Sequence, residues 1–145
     1  MSLHRVSRSS TFMVRLPHGC DLIEELTAIC MCEGIMQGQV RAIGAVQKAC
    51  ISFYDQKEQT YKSTAFDRPL EIAQLTGNIS LKDGKPFVHA HVTLTDEDSN
   101  VFGGHLAAGT LVFACEAVIE GFDGPQLERT FDEQTGLGLW RNPNE

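Results

Sequence analysis

The chain has 145 residues, 42% of them apolar and 21% charged, with a formal net charge of −7. That length suits one domain able to bury roughly 70% of the surface its unfolded form would expose, and the composition excludes a disordered chain. The negative charge opposes nucleic-acid phosphates and anionic lipid at long range, the twelve Lys and Arg residues form no basic run, and apolar stretches of about ten residues or fewer are too short to cross a bilayer.

Residues 1–10 are polar and lack the apolar centre of a signal peptide. They are expected to form a flexible segment before a domain spanning 11–133, with 134–145 as a tail. Thr11 to Leu16 reads as a first strand, because Phe12 and Val14 alternate with polar neighbours. Pro17-His18-Gly19 turns the chain into a helix from Leu22 to about Glu33. Asp21 is placed to cap it, Glu24 completes a capping-box pattern, and Gly34 stops it. Leu22, Leu26 and Ile29 share one face of that helix, flanked by Ile23 and Cys30.

Strands account for the remainder. Gly38 to Val46 and Ala49 to Tyr54 form a pair of segments, with Gly44 allowing a bend or bulge, and Thr60 to Phe66 returns after a polar turn. Leu70 to Ile79 ends at Lys82-Asp83-Gly84-Lys85, Phe87 to Thr95 follows, and Asp96 to Asn100 makes a further turn. Thr110 to Glu120 is a long strand whose Leu111, Phe113, Cys115, Ala117 and Ile119 are expected on one face, and Gln126 to Asp132 is a short last strand. Short polar connectors favour antiparallel pairing. The expected fold is α+β: a single domain with a central, mostly antiparallel sheet and one main helix packed on it. The five cysteines cannot all pair within one chain; free thiols in a reducing, cytoplasmic setting account for them.

Phe87 to Thr95 carries the most chemistry. Val88, Ala90, Val92 and Leu94 point to one side, the natural core face, while Phe87, His89, His91, Thr93 and Thr95 point to the other. Histidines two apart on a strand have Cα atoms roughly 6.6 Å apart, close enough for both imidazoles to reach one ion through bonds of about 2.0 Å. His105 can return beside them, since Asp96 to Asn100 reverses the chain and Gly103-Gly104 permits close backbone approach. Three protein ligands leave an open coordination position, the pattern of catalytic rather than structural zinc. A solvated or subunit-facing histidine pair is the alternative reading of the same spacing. Glu71, Asp96, Glu97, Asp98 and Glu116 are the carboxylates considered as general bases, with Asp96 to Asp98 most simply a solvated turn.

Gly77-Asn78-Ile79-Ser80, the run Asp83 to Leu94 and Val101-Phe102-Gly103-Gly104-His105-Leu106 together resemble the plants-and-prokaryotes-conserved (PPC) domain. Val40 to Val46 and Ile51 to Asp55 also fit, so the resemblance runs from about Phe12 to Phe131, and the H-x-H followed by G-G-H is its most specific part. The resemblance implies a compact domain assembled as a homotrimer, in which His89, His91 and His105 match a zinc-binding set. Plant members carry a basic DNA-binding hook beside the domain. This chain has no Arg-Gly-Arg-Pro core or basic extension, so DNA is not an expected partner. The resemblance implies no particular reaction. The leading expectation is a homotrimeric domain that binds Zn2+ or another divalent transition metal. A zinc-dependent enzyme using metal-bound water on a small substrate is one alternative. A DNA-associated or protein-interaction module, by analogy with plant relatives, is the other.

Overall fold

The computed structural model describes residues 3–141. Strand β1 (Ser7–Leu16) leads into helix α1 (Leu22–Cys32), followed by β2 (Gly38–Asp55), β3 (Thr60–Phe66), β4 (Leu70–Lys82), β5 (Lys85–Thr95), β6 (Val101–Leu106) and β7 (Leu111–Asp123). These strands form one sheet in the order β1-β7-β2-β4-β5-β6, with β3 beside β2, and every named pair is antiparallel. A small hairpin of β8 (Arg129–Asp132) and β9 (Leu137–Trp140) completes the chain. The α+β expectation holds, with one helix and a mostly antiparallel sheet.

The helix forms where its capping residue predicts. Asp21 accepts hydrogen bonds from the backbone N–H of Ile23 and Glu24, and its other carboxylate oxygen accepts from the N–H of Gly109 at 2.6 Å. One side chain therefore satisfies helix donors and ties the helix start to the loop before β7. Leu22, Leu26 and Cys30 are buried, with Ile23 and Ile29 packed at the margin. Gly34 ends the helix with φ +65°. The helix meets β5 on its aliphatic side, where Val88, Ala90, Val92 and Leu94 are 4%, 1%, 2% and 0% exposed. The two faces of β5 are thus divided as the alternation demands.

β2 is a single strand of 18 residues rather than two segments. Its first half pairs with β7 and β4, and its second half pairs with β3 and touches β6 at Ile51–Leu106 and Ser52–His105. Because β4, β5 and β6 pair in turn, β2, β4, β5 and β6 close into a ring around the core. Gly44 is the bend expected of it. The register with β4 shifts beside it, and a Cβ there would lie 2.1 Å from the carbonyl oxygen of Ala114. The β4–β5 connection is a two-residue turn with positive φ at Asp83 and Gly84, the backbone that hairpins of this length require.

Three expectations need correction. β1 begins at Ser7, inside the stretch expected to be flexible, because Ser7 and Arg8 pair with Asp123 and Phe122. Residues 134–140, expected as the start of a tail, build the second half of the β8–β9 hairpin. Its turn is tied by Asp132, which accepts from the N–H and hydroxyl of Thr135. The outermost positions of both terminal segments, 1–2 and 142–145, lie outside the described residues. On β7 the regular alternation breaks: Ala45 pairs with Ala114 but Val46 pairs with Val112. Phe113 is the extra residue of this bulge, so it is exposed while Val112 takes the core position.

Leu26 is fully buried under the sheet. Leu26→Ala is expected to lower the unfolding free energy by about 2–5 kcal/mol, measured by denaturant titration. A change below about 0.5 kcal/mol would mean that the helix does not hold the core.

Candidate metal centre

His89 and His91 lie on the outer side of β5, and β6 returns so that His105 stands directly opposite His91 in the register. The two glycines before His105 make this return close. A Cβ at Gly103 would lie 3.1 Å from the carbonyl oxygen of Val92, and one at Gly104 would lie 2.8 Å from that of Ser52. The ring centroids of the three histidines are 4.9 to 5.5 Å apart, and one ring nitrogen from each falls within 4.8 Å of the others. Two nitrogens each about 2.0 Å from one ion are at most about 4 Å apart, so gathering all three on one ion requires the rings to draw in by about 1 Å or a little more. The donor set, three imidazoles together, fits a borderline-soft divalent ion such as zinc.

The electrostatics favour ligation. Burial pushes His89 down from the ordinary 6.5 to about 4, with the neighbouring His105, Arg129 and His91 charges adding to the effect. Burial, followed by His91 and Arg129, also lowers His105. Both rings are therefore neutral at neutral pH, the form that binds a metal. His91 is exposed and marks the solvent side of the cluster. The Tyr61 ring packs 5.1 Å from that of His105.

The carboxylates considered from sequence lie elsewhere. Asp96 organises its own turn, accepting from the N–H groups of Asp98 and Asn100 and from the Asn100 amide, and it pairs with Arg68. Glu97 and Asp98 are exposed in the same turn. Glu71 registers with Thr95, four residues along β5 from His91, and Glu116 registers with Arg15 and Ile43 on strands away from the centre. Among the described residues the metal-competent cluster contains imidazoles alone. Burial raises the Cys30 and Cys115 thiols to about 11, so neither is a ready thiolate nucleophile at neutral pH.

Two residues that the sequence reading passed over frame the site. Glu120 is 4% exposed although its strand places it on the outer face. It pairs with Arg8 at 2.6 Å and accepts a hydrogen bond from the Gln39 amide. Gln39 registers with Asn78, and Asn78 with His89, so a polar row crosses four strands to the histidines. At its far end Arg129 of β8 donates to Asn78 and Ser80. Neither role has a signal in local sequence, since a charged residue on an outward strand position is ordinarily solvated.

The comparison with known proteins gives this geometry a family. The sequence pattern of the Plants and Prokaryotes Conserved domain matches residues 4–123. The chain belongs to that family. A crystal structure of a metal-containing protein from Archaeoglobus fulgidus is similar over 98% of this chain and 100% of its own, with 42% identity and a TM-score of 0.93. A plant- and prokaryote-conserved protein from Pyrococcus horikoshii matches 98% of both chains at 35% identity and the same TM-score. A Bacteroides thetaiotaomicron protein, provisionally described as DNA-binding, matches at 27% identity over 94% of this chain and 96% of its own, with a TM-score of 0.85. Among curated proteins the chain is 30% identical to part of the bifunctional protein GlmU from two Synechococcus strains, over 109 and 128 residues. It matches 74% and 86% of this chain but spans less than a fifth of those relatives. No helix among the described residues is long and apolar enough to cross a membrane.

His89 is depressed in the fold and ordinary when unfolded, so the metal-free unfolded chain binds more protons between these two values. Metal-free protein is therefore expected to lose stability as pH falls from about 6.5 through about 4, and His89→Gln should flatten that part of the profile. Thermal melting across this range, with a chelator present, checks it. Identical slopes for the two proteins would remove His89 as the cause.

Proposed function

We propose that this protein is a homotrimeric metal-binding domain whose resident ion is Zn2+, held by His89, His91 and His105, with the centre at or near a cleft between subunits. The observation that carries the reading is the convergence of three imidazoles, two of them held neutral by burial, with ligand atoms within 4.8 Å of one another. The metal-containing description of the Archaeoglobus relative supports it. A bound divalent ion would supply Lewis acidity and an open coordination position. A zinc-dependent enzyme acting on a small substrate is the second reading. It is favoured by a cleft of about 600 Å3 that opens on His89 and His91.

The trimer reading draws on the outer face of the sheet. Met13, Ile43 and Phe113 are 87%, 60% and 58% exposed, and Val118 lies between Met13 and Arg41 in the strand register. Covering such a face between subunits removes apolar area from water at roughly 25 cal/mol per Å2 before association costs. The five free cysteines support a reducing, cytoplasmic setting. The charge of −7 supports no useful affinity for duplex DNA, and submicromolar binding by fluorescence polarisation at physiological salt would contradict that part of the reading.

Purified without chelator, the protein is expected to carry about one zinc per chain by elemental analysis. His91→Ala should release most of it, because the remaining pair lacks a third protein ligand. Wild-type protein that holds no metal and takes up no added zinc, cobalt or nickel would sink the metal reading. By light scattering coupled to size exclusion, the wild type should run at three times the 16.0 kDa chain mass, and Ile43→Glu should shift it toward the monomer. A wild-type mass of one chain at micromolar concentration rules the trimer out.

A further inference from the structure

Arg129 is unusual in a chain this acidic. It is half-buried, and its guanidinium is fixed in place by three neutral acceptors: Nε donates to the Ser80 hydroxyl at 2.8 Å, Nη1 to the Gly138 carbonyl at 2.9 Å and Nη2 to the Asn78 amide oxygen at 2.8 Å. It also lies over the Phe87 ring, 5.2 Å from the centroid. Both contacts place it beside the histidines, since Asn78 registers with His89 and Phe87 precedes His89 by two positions on the same strand face. Among the described residues no carboxylate forms an ion pair with it, and both Nη atoms keep further N–H capacity.

A divalent ion on three neutral imidazoles keeps its full charge, and the guanidinium adds one more. Two cationic groups in a partly desolvated site, without an acidic ligand from this chain, call for an anion between them. The adjoining cleft narrows the class. Its walls include Val6, Ile79, Phe122, Leu127 and Trp140, and Trp140 stands opposite Arg129 in the β8–β9 register. The same hairpin therefore supplies an apolar wall of the cleft and, hydrogen-bonded to the wall residue Asn78, a guanidinium beside it.

We propose that the centre binds a small organic carboxylate, its oxygens shared between the bound divalent ion and Arg129 and its apolar body seated in the cleft. This rests on the metal-binding reading above and names the ligand class of that site.

The test uses zinc-loaded protein and isothermal titration with three probes: hexanoate, its neutral isostere hexanamide, and inorganic phosphate. Hexanoate should bind, and both other probes should bind at least about tenfold more weakly. Cobalt-substituted protein should change its visible absorption on addition of hexanoate, which reports an oxygen donor at the ion. Arg129→Gln should keep the same metal content per chain and weaken hexanoate by about tenfold or more, while Arg129→Lys should recover part of the loss. Metal content serves as the folding check for both variants. Should Arg129→Gln lose its metal, the comparison moves to Trp140→Ala, which must weaken hexanoate and leave phosphate unchanged. Wild-type protein that takes up no metal defeats the metal reading, and this proposal with it. Metal-loaded protein that ignores hexanoate, binds hexanamide equally well, prefers phosphate, or is indifferent to the loss of Arg129 overturns this proposal and leaves the metal reading intact.

Discussion

One register governs the histidine cluster: His91 of β5 stands opposite His105 of β6. Strand alternation alone places His89 and His91 on a common face, but the third imidazole reaches them only if β6 lies tightly against β5 on one side and β2 on the other. Gly104 makes that possible, because a side chain there would collide with the backbone of Ser52. Slipping the pair by one residue would turn His105 into the core and Leu106 toward solvent. The core therefore enforces the geometry of the site. The aliphatic row Val88, Ala90, Val92 and Leu94, seated under the helix, holds β5 in the one orientation that presents its histidines outward.

A second layer of organisation is electrostatic. The chain as a whole is acidic, yet the groups gathered at the centre are imidazoles and a guanidinium, with the buried Glu120 kept at the other end of a row of amides and occupied by Arg8. Segregation of this kind leaves the lowered proton affinities of His89 and His105 without a neighbouring carboxylate to raise them. Net charge describes how the molecule meets distant partners, while the local arrangement describes what it can hold.

Much of this was legible in the sequence, for identifiable reasons. The helix declared itself through Asp21 and Gly34, the tight turn through Asp83-Gly84, and the inner and outer faces of β5 through unbroken alternation. The histidine set followed from that alternation and from the glycine pair. What escaped depends on contacts between segments distant in sequence. No glycine marks the bulge at Phe113, which arises from how β2 and β7 fit together. Arg8 looks like part of a polar terminus until its partner Glu120 is known. Leu137 to Trp140 is too short to announce a strand, and it gains one only because Arg129 and Asp132 organise the hairpin.

The long central strand has a kinetic consequence. β2 is bonded along its length to β3, β4, β6 and β7, so its amides can exchange with solvent only when most of the sheet opens at once. The β8–β9 hairpin is tied down by less, mainly through side chains: Arg129 on Asn78, Ser80 and the Phe87 ring, the Tyr54 hydroxyl on the Thr135 carbonyl, the Gln59 amide on the Gln134 carbonyl, and, just before it, the backbone bond from Leu81 to Leu127 and the Gly84 N–H on Glu128. With fewer ties to the sheet than β2 has, the hairpin is expected to open locally before the ring does. Opening of the hairpin beside the histidines is thereby uncoupled from the integrity of the ring that positions them, so the wall next to the three imidazoles can loosen while their spacing is kept.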